Sequence, residues 1–408
     1  MTEPVFILGG WQSDFAERAT DGGFYSLLEA ATRGALADAD LEPADIEVAH
    51  IGNLAGELTA FQAQLGGLLV SIDPAFMGLP TSRHEAACAS GSLAALAAAA
   101  EIEARRYDVA LVAGAEILRN VGGLRAAELL SCAGWAGEDA FDGDNLWPRL
   151  FADVADEYDR RYGLEHEHLG RIAEVNFANA RFNPNAQTRN WDIDADAFGD
   201  DDEVNPVVDR HLRKMDCGRI TDGSCAVVLA SGTYTERWAR LRAIDMGSIP
   251  RLKGWGHTTA PSLLPDKFKA SQDDPYVFPH VRKAAADAMA RAGLHGPREL
   301  DAIEVHDCFS ISEYTAIDHF GLTPPGQSWR AVEDGTIERD GDVPVNPSGG
   351  LLGLGHPVGA TGVRMMLDGA KQVAGRAGEY QVDGARNAAT LNIGGSFTTV
   401  ASIVVGID

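Results

Sequence analysis

Apolar and polar positions along the chain alternate between helix-like and strand-like patterns. The pattern predicts helices over 26–39, 90–104, 281–292 and 361–374. It predicts strands over 46–51, 108–115, 222–229, 301–306, 388–393 and 401–406. Small apolar residues lie on every side of the helix over 90–104, which indicates burial all round. Alternation of helices and strands is typical of layered α/β folds.

The two halves of the chain repeat one pattern. Residues 35–41 and 45–50 resemble residues 288–294 and 301–306, which places His50 opposite His306. Further on, Cys88 at a helix start matches His356 at another helix start. Two copies of one layered fold would bring equivalent helix starts to a shared crevice. We therefore expect Cys88 and His356 to meet, although 268 residues separate them.

The intervening segment 118–218 has a different composition, rich in Trp, Asn, Arg and acidic residues. We expect it to form a covering loop domain over the crevice. The N-terminal half would then comprise 1–117 plus 219–240, and the C-terminal half 241–408. The acidic residues within 192–203 are expected to form a solvated loop, because a metal site needs oxygen ligands at tighter spacing.

Charge and composition exclude several classes of function. The net charge of −26 argues against binding of nucleic acid or of anionic membrane surfaces. The longest nearly apolar run, 86–100, is too short to span a membrane. The five cysteines show no CxxC and no zinc spacing, and the N-terminus carries no signal-peptide pattern. We therefore expect a reduced, cytoplasmic protein without a metal.

Cys88 precedes the helix over 90–104, whose N-terminal amides and dipole would favour a thiolate. Its own backbone amide could donate to a developing oxyanion. The alternative is a small buried cysteine with no chemical role. Cys132, Cys217 and Cys225 have no partner signature and are expected to be structural. His166 and His168, two apart in a charged segment, are expected at the surface.

His356 lies in the glycine-crowded turn 349–362, as part of a Gly-His-Pro sequence. Such a turn lets substrate and backbone approach closely and exposes an imidazole that exchanges protons near neutral pH. Its expected task is to take the thiol proton of Cys88 and to polarise a carbonyl group.

His306 and Cys308 lie at the end of the strand over 301–306, where sites gather in layered α/β folds. His306 could bind a carbonyl oxygen, and Cys308 could shuttle a proton at carbon. The alternative is a buried pair in which Asp307 fixes the histidine. A zinc site is not expected, because no second ligand cluster is near in sequence. The paired glycines 394–395 suggest close approach of a ligand to exposed amides.

A basic cluster spans 210–214 and includes Arg213 and Lys214. It is either part of a balanced surface or an anchor for phosphates. The segment 251–269 is an alternative anchor for phosphates.

Taken together, these motifs resemble the thiolase superfamily, and in particular thiolases of the sterol-carrier-protein type and their prokaryotic relatives, often called acetyl-CoA acetyltransferases. The resemblance covers essentially the whole chain. Its motifs are Cys88 with Ser90 and Gly91, 306–309, 346–350 leading into 355–357, and 179–187, which is similar to the family's covering-loop helix. It implies a five-layered αβαβα fold of two similar halves, in a homodimer or homotetramer.

The resemblance also implies residue roles. Cys88 would be acylated by an acyl-CoA, and His356 would activate it. His306 and His356 would form a first oxyanion site, and the amides of Cys88 and Gly394 a second. Cys308 would move the α-proton, as in the sterol-carrier branch, because Asn392 stands where many thiolases carry that cysteine. Arg213, Lys214 and Asn392 are the candidate substrate contacts.

The predicted activity is reversible Claisen condensation or thiolytic cleavage of 3-oxoacyl-CoA, with coenzyme A thioesters as substrates and no further cofactor. One alternative is a retro-aldolase or another C-acyltransferase on the same fold. Another is a non-catalytic acyl-CoA-binding scaffold. We expect no appended sterol-carrier domain, and the cysteines show no zinc-ribbon set. The resemblance to prokaryotic members of the family implies a separate small OB-fold zinc-ribbon protein as a partner.

Overall fold

The computed structural model describes residues 2–16, 23–139 and 146–408. Its strands are β1 (Val5–Gln12), β2 (Val48–Gly52), β3 (Thr81–His84), β4 (Val109–Glu116), β5 (Val207–Asp209), β6 (Leu212–Arg213), β7 (Gly223–Ser231), β8 (Arg251–Thr259), β9 (Ala302–Val305), β10 (Asn387–Gly394) and β11 (Thr399–Gly406). Its α-helices are α1 (Gly23–Ala39), α2 (Gly56–Thr59), α3 (Leu65–Ile72), α4 (Ser90–Glu103), α5 (Gly123–Leu130), α6 (Leu146–Tyr162), α7 (His166–Ala180), α8 (Gly232–Arg242), α9 (Leu264–Ala270), α10 (Pro279–Arg291), α11 (Ser310–Phe320), α12 (Ser328–Glu333) and α13 (Val358–Val373).

Nine strands form one mixed sheet in the order β3-β2-β4-β7-β1-β8-β11-β10-β9, and β5 and β6 form a separate hairpin. Apart from the edge strand β3, the order is mirrored about the junction of β1 with β8, where Phe6 pairs with Arg251. On each side, a parallel pair (β2 with β4, or β9 with β10) is followed inward by antiparallel pairs. This symmetry confirms the predicted fold of two similar halves.

The two central helices, α4 and α13, pack against each other between the halves, while α1 and α10 cover the outer faces. Nearly all of α13 is buried, and α4 is buried along most of its length. Small residues allow this close approach: a Cβ at Gly362 would lie 2.3 Å from the main-chain nitrogen of Ser92. The starts of both helices are therefore held at one place in the interior.

The pattern missed three strands of the sheet. β1, β3 and β8 were not predicted, and β8 occupies the first part of the segment 251–269, which was considered as a phosphate anchor. β8 lacks a clear apolar pattern because two of its positions are glycines under α10. A Cβ at Gly256 would lie 1.9 Å from the carbonyl oxygen of Ala284.

Segment 118–218 contributes α5, α6, α7 and the β5–β6 hairpin, and α7 packs against α11 and against the turn that precedes His356. The acidic side chains at 200–203 are exposed. His168 contradicts its predicted surface position: it is buried, its ring stacks on Tyr314, and Nε2 lies 3.0 Å from Oε1 of Glu333. The amphipathic packing of α7 turns this residue inward, whereas its neighbour His166 is half-buried and bonds Asp216 at 2.9 Å.

Within the described residues, none of the helices combines the length and the apolar character needed to cross a bilayer.

Candidate active site

Three of the four predicted catalytic side chains line one cavity, and the fourth, His306, lies against His356. Cys88 precedes α4, His356 precedes α13, and His306 and Cys308 lie between β9 and α11. The sulfur of Cys88 and one ring nitrogen each of His306 and His356 lie within 4.8 Å of one another. Cys88, Cys308 and His356 line a cavity of about 200 Å³ whose walls are otherwise mostly apolar. The expected meeting of Cys88 with His356 is therefore observed.

A tight turn carries Cys88 to this position. Ala87 has a left-handed φ of +51°, and the amide of Ala89 bonds the carbonyl of Ala86 at 3.0 Å. The Ser90 hydroxyl donates to the carbonyl of Ala87 at 2.6 Å and accepts from the amide of Ala86 at 3.0 Å. Ser90 thus closes the turn at the helix start and holds Cys88 toward the cavity.

The electrostatics of Cys88 differ from the expected stabilised thiolate. Burial raises the pKa of the Cys88 thiol to about 12, because water no longer solvates the charged form. A hydrogen bond from the main-chain amide of Gly395 opposes this shift, and the nearby carboxylate of Glu116 adds to it. Desolvation raises the thiol pKa more than the amides and dipole of the helix start lower it. The thiol is therefore protonated at neutral pH and needs a base.

His356 is arranged to be that base. Its Nδ1 lies 2.7 Å from the Thr361 hydroxyl, and its main-chain amide donates to the Thr221 hydroxyl at 3.0 Å. Thr361 can donate to the carbonyl of Pro357, at 3.4 Å, and accept from Nδ1, which assigns the ring proton to Nδ1. Nε2 is buried and has no hydrogen-bond partner among the described residues. Burial, followed by the charge of Arg364, lowers the pKa of His356 to about 3, so the ring is neutral.

His306 has the opposite tautomer. The amide group of Asn392 donates to Nδ1 of His306 at 3.1 Å, while its oxygen accepts from the Ser92 hydroxyl at 2.9 Å. The proton of a neutral His306 ring therefore lies on Nε2, where it can donate to an oxygen. Burial, followed by the charges of His356 and Arg364, holds the pKa of His306 well below its usual value. The His306 and His356 rings are perpendicular, with centroids 5.0 Å apart.

Asn392 is fully buried and does not line the cavity, so the structure places this candidate substrate contact behind His306. It orients the ring of His306 through its hydrogen bond to Nδ1.

Asp307 does not fix a histidine, contrary to the alternative considered from the sequence. Its carboxylate accepts the amides of Leu351 at 2.5 Å and Leu352 at 3.1 Å, and the side-chain amide of Asn176 at 2.9 Å. Gly350 has a φ of +59°, and a Cβ there would lie 2.3 Å from Oδ2 of Asp307. The glycine turn is therefore clamped onto this carboxylate, which sets the path of the chain into His356.

Cys308 lies across the cavity from these groups. Its sulfur is 3.8 Å from the Ser312 hydroxyl, and burial, with a further contribution from Cys88, raises its pKa well above the usual value. Its carbonyl accepts the amide of Gly218 at 2.8 Å. Both thiols of the site are thus protonated in the unliganded protein, and each can give up a proton only to a specific acceptor.

The glycine pair after β10 contributes amides beside Cys88. The amide that interacts with the sulfur is that of Gly395, one residue beyond the predicted Gly394. At Gly394 the chain passes so close to Cys88 that a Cβ would lie 2.1 Å from the carbonyl oxygen of Ala86. Lys267, which the sequence analysis missed, supports this turn through the hydroxyls of Ser396 at 3.4 Å and Thr398 at 3.1 Å.

Arg213 and Lys214, the candidate phosphate anchors, lie outside the cavity. Arg213 donates to Asp202 at 2.7 Å and to the carbonyl of Asn205 at 2.8 Å, and Lys214 is exposed. Neither lines the cavity. These contacts favour the interpretation of a balanced surface. The basic residue that does line the cavity is Arg219, which the sequence analysis did not identify.

The remaining cysteines divide by position. Cys225 is buried in the core, Cys217 is half-buried and lines the cavity, and Cys132 is exposed. Sequence spacing gave no metal site, but the fold gathers the donor atoms of Cys88, His306 and His356 into a set that matches the ligands of zinc. An ion there would occupy the sulfur that must otherwise act as a nucleophile.

Comparison with known families gives two matches that together span most of the chain. Residues 12–233 match the thiolase N-terminal domain, and residues 265–407 match the thiolase C-terminal domain-like family. An acetyl-CoA acetyltransferase of Methanothermobacter thermautotrophicus is 32% identical over 398 residues, covering 97% of this chain and 98% of that protein. Human sterol carrier protein 2 is 27% identical, covering 96% of this chain and 70% of that protein.

Solved structures share the fold. A structure described as "Ltp2-ChsH2(DUF35) aldolase" has a TM-score of 0.78 at 20% identity, covering 99% of this chain and 98% of that one. Human mitochondrial 3-ketoacyl-CoA thiolase has a TM-score of 0.69 at 16% identity, covering 99% of both chains. At these identities the likeness establishes the architecture and not the reaction.

Proposed function

Because the chain belongs to the thiolase superfamily, we propose that it is an acyl-CoA C-acyltransferase that makes or cleaves the carbon–carbon bond of 3-oxoacyl-CoA through an acyl-Cys88 intermediate. The observation that supports this most is the convergence of the Cys88 sulfur with nitrogens of His306 and His356, with Cys308 lining the same cavity. Acetyl-CoA acetyltransferase activity is the specific form that we propose, as in the named archaeal relative.

The first half-reaction acylates Cys88. Nε2 of His356 takes the thiol proton as the sulfur attacks the thioester carbon. The main-chain amides of Cys88 and of the 394–395 turn donate to the oxyanion that develops on the acyl oxygen. When the intermediate collapses, the bond to the CoA sulfur breaks, and Cys308 gives its proton to that sulfur. The products are acyl-Cys88, free CoA, an imidazolium at His356 and a thiolate at Cys308.

The second half-reaction forms the carbon–carbon bond. The Cys308 thiolate takes an α-proton from the incoming acetyl-CoA, whose thioester oxygen accepts hydrogen bonds from the Nε2–H groups of His306 and His356. The resulting carbanion attacks the acyl carbon on Cys88. The Cys88 sulfur leaves and recovers its proton from His356, so all four groups return to their starting states. Thiolysis is the same sequence reversed.

The test is cleavage of acetoacetyl-CoA by free CoA, followed by loss of the 3-oxo thioester. We expect Cys88→Ala to lower kcat by roughly a thousandfold or more, because the covalent intermediate cannot form. Cys132→Ala is the matched control, since that thiol is exposed and does not line the cavity. Normal turnover in the Cys88→Ala protein would refute the proposal.

A retro-aldolase is the second candidate, favoured by the structural similarity to the protein described as an Ltp2-ChsH2(DUF35) aldolase. Retro-aldol cleavage needs no acyl-cysteine. Incubation with acetyl-CoA carrying a labelled acetyl group, followed by acid quenching and peptide mapping, separates the two. Label on the peptide that contains Cys88 supports the transferase, whereas cleavage of a 3-hydroxyacyl-CoA without such label supports the aldolase. CoA binding with neither activity would indicate the acyl-CoA-binding scaffold.

We also propose a homodimer or a dimer of dimers. β3 lies at the edge of the nine-stranded sheet and offers unpaired backbone groups. Large exposed apolar side chains, Phe61, Met77 and Leu124, are further surface that a second copy could bury. Light scattering on the purified protein tests this assembly.

We further propose a small OB-fold zinc-ribbon protein as a partner and a cytoplasmic location. Co-purification tests the partner, and cell fractionation tests the location.

A further inference from the structure

Arg219 brings a positive charge to the reaction cavity. The two residues that flank it contact the catalytic groups: the amide of Gly218 donates to the carbonyl of Cys308 at 2.8 Å, and Ile220 forms a parallel bridge with His356. Adjacent Cα atoms are about 3.8 Å apart, so the backbone of Arg219 lies within one residue of both contacts. Arg219 is itself one of the residues that line the cavity.

Among the residues that the structure describes, the guanidinium of Arg219 has no anionic partner. Its nearest polar contact is the sulfur of Met215, at 3.6 Å from Nη2, and it lies over the ring of Trp191 at 5.8 Å. Nε is buried without a hydrogen-bond partner, and no carboxylate of the described residues comes within ion-pair distance. Arg219 is also the only lysine, arginine, aspartate or glutamate among the described residues that line the cavity.

This isolation is unusual for the chain. Acidic residues outnumber basic ones by 60 to 34, and nearby arginines are paired: Arg213 with Asp202, and Arg171 with Glu174. A cation in an apolar cavity without a counter-charge is costly. Burial indeed lowers the pKa of Arg219 below its usual value. A ligand that supplies an anionic oxygen would offset this cost and form paired, charge-assisted hydrogen bonds.

We propose that Arg219 is the anion-binding residue of the reaction cavity and that it binds an oxyanion group carried by the substrate. A carboxylate on the acyl chain and a phosphate of coenzyme A share this chemistry. The main chain on either side of Arg219 contacts Cys308 and His356, and this favours the carboxylate, because the pantetheine arm separates the phosphates from the thioester. The inference rests on the proposed function and assigns its substrate class: 3-oxoacyl thioesters with a carboxylate on the acyl chain.

The kinetic experiment compares Arg219→Gln and Arg219→Lys with wild type on three substrates. These are 3-oxoadipyl-CoA, acetoacetyl-CoA, and acetoacetyl-pantetheine, which lacks every phosphate. We expect Arg219→Gln to lower kcat/KM for 3-oxoadipyl-CoA by roughly 10- to 100-fold, the range for losing a hydrogen-bonded charge partner. Activity toward acetoacetyl-CoA should stay within about twofold, and Arg219→Lys should retain part of the preference. Arg171→Gln, a charge change in the same covering region, should alter none of the three.

Each other outcome has one meaning. Equal losses on both CoA substrates, with acetoacetyl-pantetheine unaffected, would support the anion site and identify the phosphate as its ligand. Equal losses on all three substrates, or no loss on any, would overturn the inference. A lower midpoint of thermal unfolding in Arg219→Gln, with equal losses, would assign the residue a structural role.

A binding measurement separates this inference from the proposed function. In the Cys88→Ala protein, the dissociation constants of glutaryl-CoA and butyryl-CoA are compared with and without the Arg219→Gln change. Preference for glutaryl-CoA that disappears with Arg219→Gln supports the anion site even if wild type shows no thiolase turnover. Thiolase turnover together with equal affinities in both proteins would uphold the function and refute a carboxylate ligand.

Discussion

Arg364 is the buried charge whose removal should most affect both stability and the site. It is fully buried in α13, where Nη1 donates to Glu304 at 2.6 Å, to Asp368 at 3.2 Å and to the hydroxyl of Ser348 at 3.0 Å. Both carboxylates are buried as well. Glu304 lies on β9, two residues before His306, so the cluster fixes the strand that presents this histidine.

The change Arg364→Met keeps an apolar side chain in place and removes the cation. It leaves two buried carboxylates without compensation, and breaking a buried ion pair in this way costs about 3–5 kcal/mol. The double variant Arg364→Met/Glu304→Gln removes one of those charges. We therefore expect it to lose less than the sum of the two single variants, by about 1–3 kcal/mol.

The loss in free energy of unfolding caused by Arg364→Met should also depend on pH. Burial raises the pKa of Glu304 to about 7, above its ordinary value of 4.5, despite the attraction of Arg364. A carboxyl whose folded pKa is raised favours the native state at low pH and disfavours it as pH rises from 4.5 toward 7. Without Arg364 this pKa rises further. The Arg364→Met protein should consequently lose less stability at pH 5.5 than at pH 8.

Urea unfolding at one fixed protein concentration, followed by tryptophan fluorescence, measures these free energies. A loss below about 1 kcal/mol for Arg364→Met would refute the reasoning, and so would strictly additive losses in the double-mutant cycle.

Three further predictions concern the groups around the catalytic residues. Burial lowers the pKa of Lys267 to about 7. Between pH 7.5 and 9 the free energy of unfolding of the wild type should therefore rise, by about 1 kcal/mol per pH unit, relative to that of Lys267→Met. An equal change in both proteins, measured by chemical denaturation at the two pH values, would contradict this. Thr361→Val should lower kcat about tenfold, because the hydroxyl that holds the ring proton of His356 on Nδ1 is lost, whereas Thr361→Ser should retain most of the activity. Nitrogen NMR of the imidazole reports the tautomer. An unchanged spectrum in the valine variant would count against the assignment. Gly350→Ala should lower the free energy of unfolding by about 2–4 kcal/mol, because of its left-handed φ and its contact with Asp307. Gly375→Ala, where φ is also left-handed but nothing lies within 4 Å, should lower it by about 1 kcal/mol. Equal losses in the two variants, measured by chemical denaturation, would exclude the contact as the cause.

The pattern that repeats in the two halves of the sequence predicts much of the fold. Strands β2, β4, β9 and β10 are mostly apolar and are buried along nearly their whole length, so their presence and layering follow from local sequence. β8 was missed because its glycines fit beneath α10, a requirement that arises only when the helix is in place. Residue type and local glycine context were likewise enough to propose Cys88 and His356 as a reacting pair.

Other properties of the site came only from packing. The sequence placed Cys88 at a helix start and suggested a thiolate, but desolvation by burial raises its pKa to about 12. It offered Asn392 as a substrate contact, yet the fold sets this residue behind His306.

What the sequence determined by itself is the set of chemical groups, the two-half architecture and the helix starts that present Cys88 and His356, because these depend on local residue type and periodicity. The tertiary structure decided which groups are desolvated, which tautomers they hold, and that Arg219 lines the cavity without an ion-pair partner among the described residues. Solvation and pairing depend on neighbours that are distant along the chain, and only the folded arrangement brings those neighbours together.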